Sequence, residues 1–435
     1  MLDVRLPEIH PLAFDGNFGL ERETLRVTEC GHMAHTPHPF PAEHPRIVRD
    51  FCENQVEINT RVWPTPEEAV AELKVLNAEV LRQLVGPPRR GGLAGGSRLS
   101  RPEYLWPFSN PPPLKGEQDV VPAKFEGVLS GKSTYRDYLS AKYGRYLMTY
   151  CGIHVNFSFG DRLLEAGRVA LPRDRDALYL HVAAGCVLWG WIVVALTAAS
   201  PLADSSLNLR GEGEGDDFFS GFASLRCGDL GYWNHFTPVN DFTSVEAYAE
   251  KIREYVRRGL IAAPSELYYP VRLKPRGANR LETLVEKGVD HIELRCVDLN
   301  PLADALVDVH DLDFIHLFFL WCAGRPPAHL TERNHVQAVR NFKNAARYDL
   351  DLAQIALPDG TAATVREAGL RVIASMERFF QDFGDKVKET LSLARGKLER
   401  PETRAAAKVR ARFGGTFAVK GLEWAKRLAK EALNV

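Results

Sequence analysis

The stretch that decides the fold is FGLERETLRV, residues 18–27. Its apolar residues Phe18, Leu20, Leu25 and Val27 predict a buried β-strand, in which successive side chains point to opposite faces. Glu21 and Glu23 then share one face, while Leu20 and Arg22 share the other. The two carboxylates need a compensating partner, because at about 7 Å they repel each other by roughly 2 kcal/mol at an effective dielectric of about 20.

Three further segments combine one apolar face with one polar face: DFCENQVEINT (50–60), GIHVNFSF (152–159) and HIELRCVDLN (291–300). Their polar positions are Gln55, Glu57 and Asn59, then His154, Asn156 and Ser158, then Glu293 and Arg295, with Asp50 and Glu53 just before the first set. Converging carboxylates with one imidazole suit a hard divalent cation, Mg²⁺ or Mn²⁺. The alternation alone also fits a half-exposed sheet, so both interpretations stay open at this point.

Arg136, Arg226 and Arg295 are candidates for binding a carboxylate or a phosphate through a two-pronged guanidinium. Each of them alone is more typical of an ordinary surface or salt-bridge residue. The motifs GxxxxGK[ST], GxSxG and HExxH are absent from the sequence, which argues against a P-loop, an α/β-hydrolase and a zinc protease. The Gly-rich RRGGLAGGSR (89–98) lacks the strand and helix context of a dinucleotide-binding motif.

The composition is that of a globular protein without a strong charge imbalance. The 435 residues include 55 Lys and Arg against 56 Asp and Glu, and a net charge of -1 argues against nucleic acid as the main partner. Seven cysteines contain no CxxC pair, which argues against a disulfide framework or a structural zinc site. The N-terminal segment lacks a secretory signal pattern, so we expect a cytoplasmic protein.

Residues 182–202 carry no charge and are long enough to cross a bilayer. Acidic residues flank the segment, with no excess of Lys or Arg on either side, and we therefore predict a buried core helix and no membrane association.

The remaining chain is organised into predicted helices and loops. Thr65 and Pro66 begin a helix, Ser244 begins another, and the sequence is mostly helical from about residue 311. Residues 86–122 and 211–217 are predicted loops. We predict a catalytic core over 1–325 and a C-terminal helical region over 326–435 that packs on it. Lys and Arg outnumber Asp and Glu between 386 and 430, which favours a solvated helix face, with contact to a polyanion as the alternative.

Several blocks together resemble the bacterial type of glutamate–cysteine ligase, also called γ-glutamylcysteine synthetase. The blocks are GLERETLRV, DFCENQVEINT, WPFSNP, YGRYLMTYCGIHVNFSF, ASPLADSSL, LRCGDLGYWN, ELYYPVRLKPR and IELRCVDLNPL, in this order between about 15 and 310. The resemblance implies an α+β fold, in which a curved antiparallel sheet has a concave active-site face, as in the glutamine synthetase catalytic fold, and is flanked by helices.

The resemblance also implies roles for individual residues. The metal-binding positions fall on Glu21, Glu23, Asp50, Glu57, His154 and Glu293; the catalytic arginines on Arg295, Arg226 and Arg136; and the substrate-binding residues on Tyr232, Tyr268 and Arg226. The expected cofactor is Mg²⁺ or Mn²⁺, and the expected partners are ATP, L-glutamate and L-cysteine.

The implied reaction joins the γ-carboxylate of L-glutamate to the amine of L-cysteine through a γ-glutamyl phosphate. It is the first step of glutathione biosynthesis. Two alternatives remain, namely a related carboxylate–amine ligase with another amine acceptor and a non-enzymatic binding protein. Because the sequence has no second region the size of an ATP-grasp domain, we expect a ligase without a fused glutathione-forming activity.

Overall fold

The computed structural model describes residues 2, 6–85, 101–169, 171–207, 217–219, 221–328 and 330–434. The strands are β1 (Gly16–Thr28), β2 (Ile47–Arg49), β3 (Gln55–Asn59), β4 (Glu103–Trp106), β5 (Ile153–Phe159), β6 (Ala203–Asp204), β7 (Asp217–Phe218), β8 (Val271–Pro275), β9 (Val289–Val297), β10 (Gln354–Ala356) and β11 (Ala362–Thr364). The helices are α1 (Pro66–Val85), α2 (Gly131–Tyr143), α3 (Asp161–Ala166), α4 (Pro172–Trp189), α5 (Trp191–Thr197), α6 (Val245–Arg257), α7 (Leu281–Lys287), α8 (Val309–Gly324), α9 (Glu332–Ala345), α10 (Val365–Phe379), α11 (Asp385–Glu399), α12 (Ala405–Phe413) and α13 (Phe417–Leu433).

The main sheet has the strand order β2-β3-β1-β5-β9-β8, and β4 also pairs with β1. All of these pairs are antiparallel, and the sheet curls into a half-barrel, which confirms the predicted α+β class with a curved antiparallel sheet. The register places Glu21 opposite His154 and Glu23 opposite Glu57. Because directly opposed residues face the same side of a sheet, these groups lie on one face.

The other face of the sheet is apolar and is covered by helices. Leu20, Val155 and Leu294 are buried there, and α1, α4, α5 and α8 pack on this side. Arg22 is the exception, since it is only 1% exposed and its guanidinium donates to Asn77 Oδ1 at 2.5 Å and to the Ala305 carbonyl at 3.3 Å. The polar, concave face is therefore the one that these four helices do not cover.

The uncharged segment 182–202 forms the end of α4, all of α5 and a short extended stretch. A break at Gly190 separates the two helices, where a Cβ atom would lie 2.5 Å from the Cys186 carbonyl oxygen. Val193 and Val194 are fully buried, as predicted for a core helix. No single helix in the described ranges is long and apolar enough to span a membrane. Helices α4 and α5 have that length and apolarity only when they are counted together, and the pair is bent by 62°.

The C-terminal helices pack against the rest of the described chain. The Trp424 indole donates to the Pro301 carbonyl at 2.7 Å, and the Ala406 amide donates to the Ala198 carbonyl at 3.1 Å. Helix α13 also contacts α1 and β4. These contacts agree with a C-terminal region that packs on the core, and the boundary at 325 stays a prediction.

The predicted loop over 86–122 contains one strand. Residues 86–100, including RRGGLAGGSR, lie outside the described residues, as do 211–216 of the second predicted loop. The loop prediction is wrong at β4, which pairs with the C-terminal half of β1. The Pro- and Gly-rich composition of this region gives no indication of a strand. The strand is stabilised by its pairing with β1 and by Trp106, which is buried against Phe108 and Phe417.

Candidate active site

His154 lies among carboxylates from two neighbouring strands at the centre of the concave face. Its Nδ1 is 2.9 Å from Glu21 Oε2 and 3.8 Å from Glu293 Oε1, and its Nε2 is 3.7 Å from Glu23 Oε1. Asn156 Nδ2 donates to the second oxygen of Glu21 at 2.9 Å. The site therefore combines groups from β1, β5 and β9.

These groups fit a divalent cation. Glu21, His154 and Glu293 each offer one ligand atom, and the three atoms lie within 4.8 Å of one another. His154 Nε2 and Glu293 Oε2 are buried with no hydrogen-bond partner among the described residues. Burial and the nearby Arg295 charge lower the pKa of His154, so its imidazole is neutral, as a metal ligand must be. Carboxylates with one imidazole are the donor set that Mg²⁺ or Mn²⁺ accepts.

A second group of carboxylates adjoins the first on β1 and β3. Burial and the charge of Asp50 raise the pKa of Glu23 to about 8. Burial and Asp50 also raise the pKa of Glu57 well above its usual value, and Glu21 and Glu23 add to this effect. The Asn59 amide donates to Glu57 at 2.9 Å but does not offset the repulsion. These carboxylates cannot all be ionised unless a cation compensates them.

The opposite side of the same face is basic. Glu293 Oε1 accepts a hydrogen bond from Arg295 Nη1 at 2.9 Å and lies 3.2 Å from Lys274 Nζ. Although burial raises the pKa of Glu293, Arg295 and Lys274 outweigh it and hold that pKa well below its usual value. Arg226 is tied to the same strand, because its Nη2 donates to the Arg295 carbonyl at 2.7 Å.

Two glycines make room for the Arg226 side chain and backbone. A Cβ atom on Gly152 would lie 2.3 Å from Arg226 Cζ, and one on Gly231 would lie 1.8 Å from the Arg226 carbonyl oxygen. The Gly152 amide also donates to Glu23 Oε2 at 3.1 Å. The segments CGIHVNFSF and CGDLGYWN thus need glycine where the arginine packs against them.

A cavity of about 50 Å³ lies beside the two arginines. Its lining residues are Arg226, Cys227, Tyr232, Trp233, Tyr268, Tyr269, Pro270, Arg295 and Cys296. The rings of Tyr232 and Tyr268 meet edge to face with centroids 4.9 Å apart. Two guanidinium groups beside an aromatic and thiol-lined wall suit a small side chain attached to an anionic group.

Arg136 lies apart from Arg226 and Arg295. It belongs to α2, donates from Nε to the Asp50 carbonyl at 2.7 Å, and its Cζ lies 4.7 Å from the centre of the Phe125 ring. The structure therefore places it against the acidic side of the face. Its assignment as a catalytic arginine stays a prediction, as do the individual roles of the other site residues.

Three further polar residues contact or face the site without a role predicted from the sequence, namely Lys274, Arg272 and Asn156. Lys274 contacts Glu293, Arg272 lies opposite Glu293 in the sheet, and Asn156 contacts Glu21. Alternation within VRLKPR, residues 271–276, could have indicated the two basic residues. Arg272 and Lys274 point to one face of the strand, and Val271 and Leu273 point to the other.

Comparisons with known proteins agree with this geometry. A family model described as glutamate-cysteine ligase matches residues 6–260 and 237–345. The glutathione biosynthesis bifunctional protein GshAB of Listeria monocytogenes is 33% identical over 423 residues, covering 93% of this chain and 53% of that protein. A glutamate–cysteine ligase of Clostridium acetobutylicum is 29% identical over 384 residues, covering 76% of each.

Solved structures show the same fold. The glutamate–cysteine ligase of Francisella tularensis in complex with AMP has a TM-score of 0.84 at 21% identity, covering 97% of this chain and 89% of that one. A bifunctional glutathione synthetase of Pasteurella multocida has a TM-score of 0.79 at 26% identity, covering 98% and 54%. The chain spans about half the length of the bifunctional relatives that it matches.

Proposed function

The chain belongs to the glutamate–cysteine ligase family, and from this premise we propose that it forms γ-glutamylcysteine from L-glutamate, L-cysteine and ATP. This product would be the first intermediate of glutathione biosynthesis. The observation that carries the proposal is the division of one concave sheet face into a carboxylate side and an arginine side, with His154 and Glu293 at the boundary.

The chemistry requires activation of a carboxylate, which is a poor electrophile. ATP transfers its terminal phosphoryl group to the γ-carboxylate, which forms the acyl phosphate and releases ADP. The amine of cysteine then attacks the carbonyl carbon, and inorganic phosphate leaves. Catalysis of such a transfer rests on positioning and on compensation of negative charge.

Arg295 and Arg226 are suited to the anionic groups of this reaction. Their guanidinium groups line the small cavity, and burial does not neutralise them because nearby acidic groups and Tyr232 raise the pKa of both. We assign them to the phosphoryl oxygens and the glutamate carboxylate. Tyr232 and Tyr268 form the aromatic wall that would enclose the side chain of the amine acceptor.

Glu21, Glu23, Asp50, Glu57, His154 and Glu293 would hold the divalent cations. Bound there, Mg²⁺ or Mn²⁺ would supply positive charge to the phosphates of the nucleotide. His154 serves as a neutral donor, and Asn156 orients Glu21 by donating to the oxygen that His154 does not contact.

The test is release of ADP from ATP by the purified protein. We expect release only when glutamate, cysteine and a divalent cation are all present, with γ-glutamylcysteine identified by mass spectrometry. Equal ADP release without amino acids would contradict the proposal. A panel of amines in place of cysteine would separate this activity from that of a related ligase with another acceptor.

We also propose a cytoplasmic location. All seven cysteines are free thiols, and both ATP and a thiol substrate belong to a reducing, ATP-containing compartment.

A further inference from the structure

Glu266 is a fully buried carboxylate that the proposed reaction leaves without a role. It ends the 3₁₀ turn Pro264–Glu266, two residues before Tyr268. Its Oε1 accepts from Lys142 Nζ at 2.5 Å and from the Tyr143 hydroxyl at 2.8 Å, and its Oε2 accepts from the Ala262 amide at 2.6 Å. A buried carboxylate with this many donors holds its partners rigidly. We call Glu266 with Lys142, Tyr143 and Ala262 the Glu266 junction.

The junction joins two separate segments of the chain. Lys142 and Tyr143 are the last two residues of α2. Only two residues of this helix, Leu139 and Tyr143, are buried. Tyr135 and Tyr138 of α2 also pack on the core, and the carboxylate of Glu266 adds the polar contacts that hold the C-terminal end of the helix. Lys142 Nζ also donates to the Leu260 carbonyl at 2.6 Å, which ties α2 to the segment before the turn.

Asn234 extends the junction to the cavity wall. Its Nδ2 donates to the Glu266 carbonyl at 2.8 Å and to the Tyr143 hydroxyl at 3.1 Å. Its Oδ1 accepts from the Tyr268 amide at 2.8 Å. The backbone of Tyr268 is thus set by the same network that binds Glu266 and Tyr143.

The network also determines how the aromatic rings meet. The Tyr268 ring packs edge to face against Tyr143 at 5.3 Å and against Tyr232 at 4.9 Å. Tyr143 lies behind Tyr268, while Tyr232 and Tyr268 line the cavity of about 50 Å³. Because the cavity is this small, a shift of the Tyr268 ring changes which side chains it accepts.

We propose that Glu266 is a positioning residue that determines selectivity for the amine acceptor. It does so by anchoring α2 through Lys142 and Tyr143 and thereby fixing the Tyr143–Tyr268–Tyr232 stack. The inference rests on the proposed ligase function. Glu266 does not contact the reacting atoms, and it affects the amine acceptor only through the position of Tyr268.

The experiment measures steady-state kinetics of Glu266→Gln, with ADP release as the signal. We expect the KM for cysteine to rise by about 10-fold, because misplacement of a positioning group weakens substrate binding. The KM values for ATP and glutamate should match those of the wild type. Larger amines, such as methionine, should gain in kcat/KM relative to cysteine.

Glu72→Gln is the matched control. Glu72 is another largely buried carboxylate with several donors, among them the Arg61 amide at 2.6 Å and the Trp63 indole at 2.7 Å. None of its partners lines the cavity. This variant should lose thermal stability without any change in the KM for cysteine.

The outcomes separate the two proposals. Absence of ADP release by the wild type overturns the ligase function and the inference together. An active wild type with an unchanged KM for cysteine in Glu266→Gln overturns the inference alone, as does an equal rise in all three KM values. If Glu266→Gln does not fold, Tyr143→Phe replaces it, because this variant keeps the ring but removes one donor to Glu266. The inference then requires a higher KM for cysteine with unchanged KM values for ATP and glutamate.

Discussion

The concave face has an acidic half on β1 and β3 and a basic half on β8 and β9, although both halves belong to one sheet. In the acidic half, burial and neighbouring carboxylates raise the pKa of Glu23 and Glu57. In the basic half, Arg295 and Lys274 overcome the burial of Glu293 and lower its pKa. Carboxylates on one sheet face are thus shifted in opposite directions, because the charges of their neighbours differ.

Under the proposed function, this difference would let one site bind a triphosphate and a carboxylate substrate together. In the acidic half carboxylates outnumber the one nearby guanidinium group, that of Arg136, so this half attracts cations. The basic half has an excess of guanidinium groups, so it attracts anions. Neither half alone would suffice for phosphoryl transfer to a carboxylate, because both partners of that reaction are negatively charged.

The largest effect is expected for Arg295→Met, which removes the main cation of the basic half. Loss of a preorganised charge partner in the transition state lowers turnover by about 10² to 10³-fold. The measurement is glutamate- and cysteine-dependent ADP release. Arg276→Met is the control, since Arg276 follows β8, is largely exposed and pairs only with Asp290 among the described residues. A turnover equal to that of the wild type would contradict a catalytic role for Arg295.

A smaller loss is expected for Glu21→Gln in the acidic half. The substitution keeps the shape but removes one carboxylate contact of His154, and turnover should fall by about 100-fold, as for loss of a partner around a metal site. The melting temperature should fall slightly at neutral pH, because the substitution removes the hydrogen bond with His154 that holds the pKa of Glu21 below its usual value despite burial, while the repulsion with Glu293 is relieved. Glu29→Gln, at an exposed position just after β1, should change neither quantity. Unfolding of Glu21→Gln would instead indicate a structural role.

The smallest effect concerns stability against pH without divalent cations. The pKa of Glu23 is about 8 in the folded protein against 4.5 in the unfolded chain, so the folded state binds more protons between these values. Its contribution to stability is therefore complete below pH 4.5 and lost as the pH rises toward about 8. The buried His316, whose pKa is lowered to about 3 by burial, acts in the opposite direction but only below about pH 6.5.

Between pH 6.5 and 8 the free energy of unfolding of the EDTA-treated protein should consequently fall, by up to about 1.4 kcal/mol per pH unit from Glu23 alone. This corresponds to a decrease of roughly 2 °C in the melting temperature. Glu23→Gln should flatten this slope, and so should saturating Mg²⁺. Differential scanning calorimetry at several pH values measures both. A melting temperature that rises with pH in this range would show that the carboxylates of the acidic half do not repel one another as described.

Much of the acidic half was predictable from the sequence, and less of the basic half. Glu21, Glu57, His154 and Glu293 lie at alternating positions of recognisable strands, and all four face the same hollow. Lys274 was overlooked because its strand is only five residues long and contains a proline. Glu266 gives no local signal at all, since its partners Lys142 and Tyr143 are more than 120 residues away in the chain.

By itself, the sequence determined which side of each strand is polar, because alternation is a local property of an extended backbone. It also carried the family resemblance and the α+β class. Only the tertiary structure decided that Glu21 lies opposite His154, that Arg22 donates a hydrogen bond to Asn77, and that Arg136 lies against the acidic side. The reason is that strand register and helix docking depend on contacts between distant segments, which no short stretch of sequence encodes.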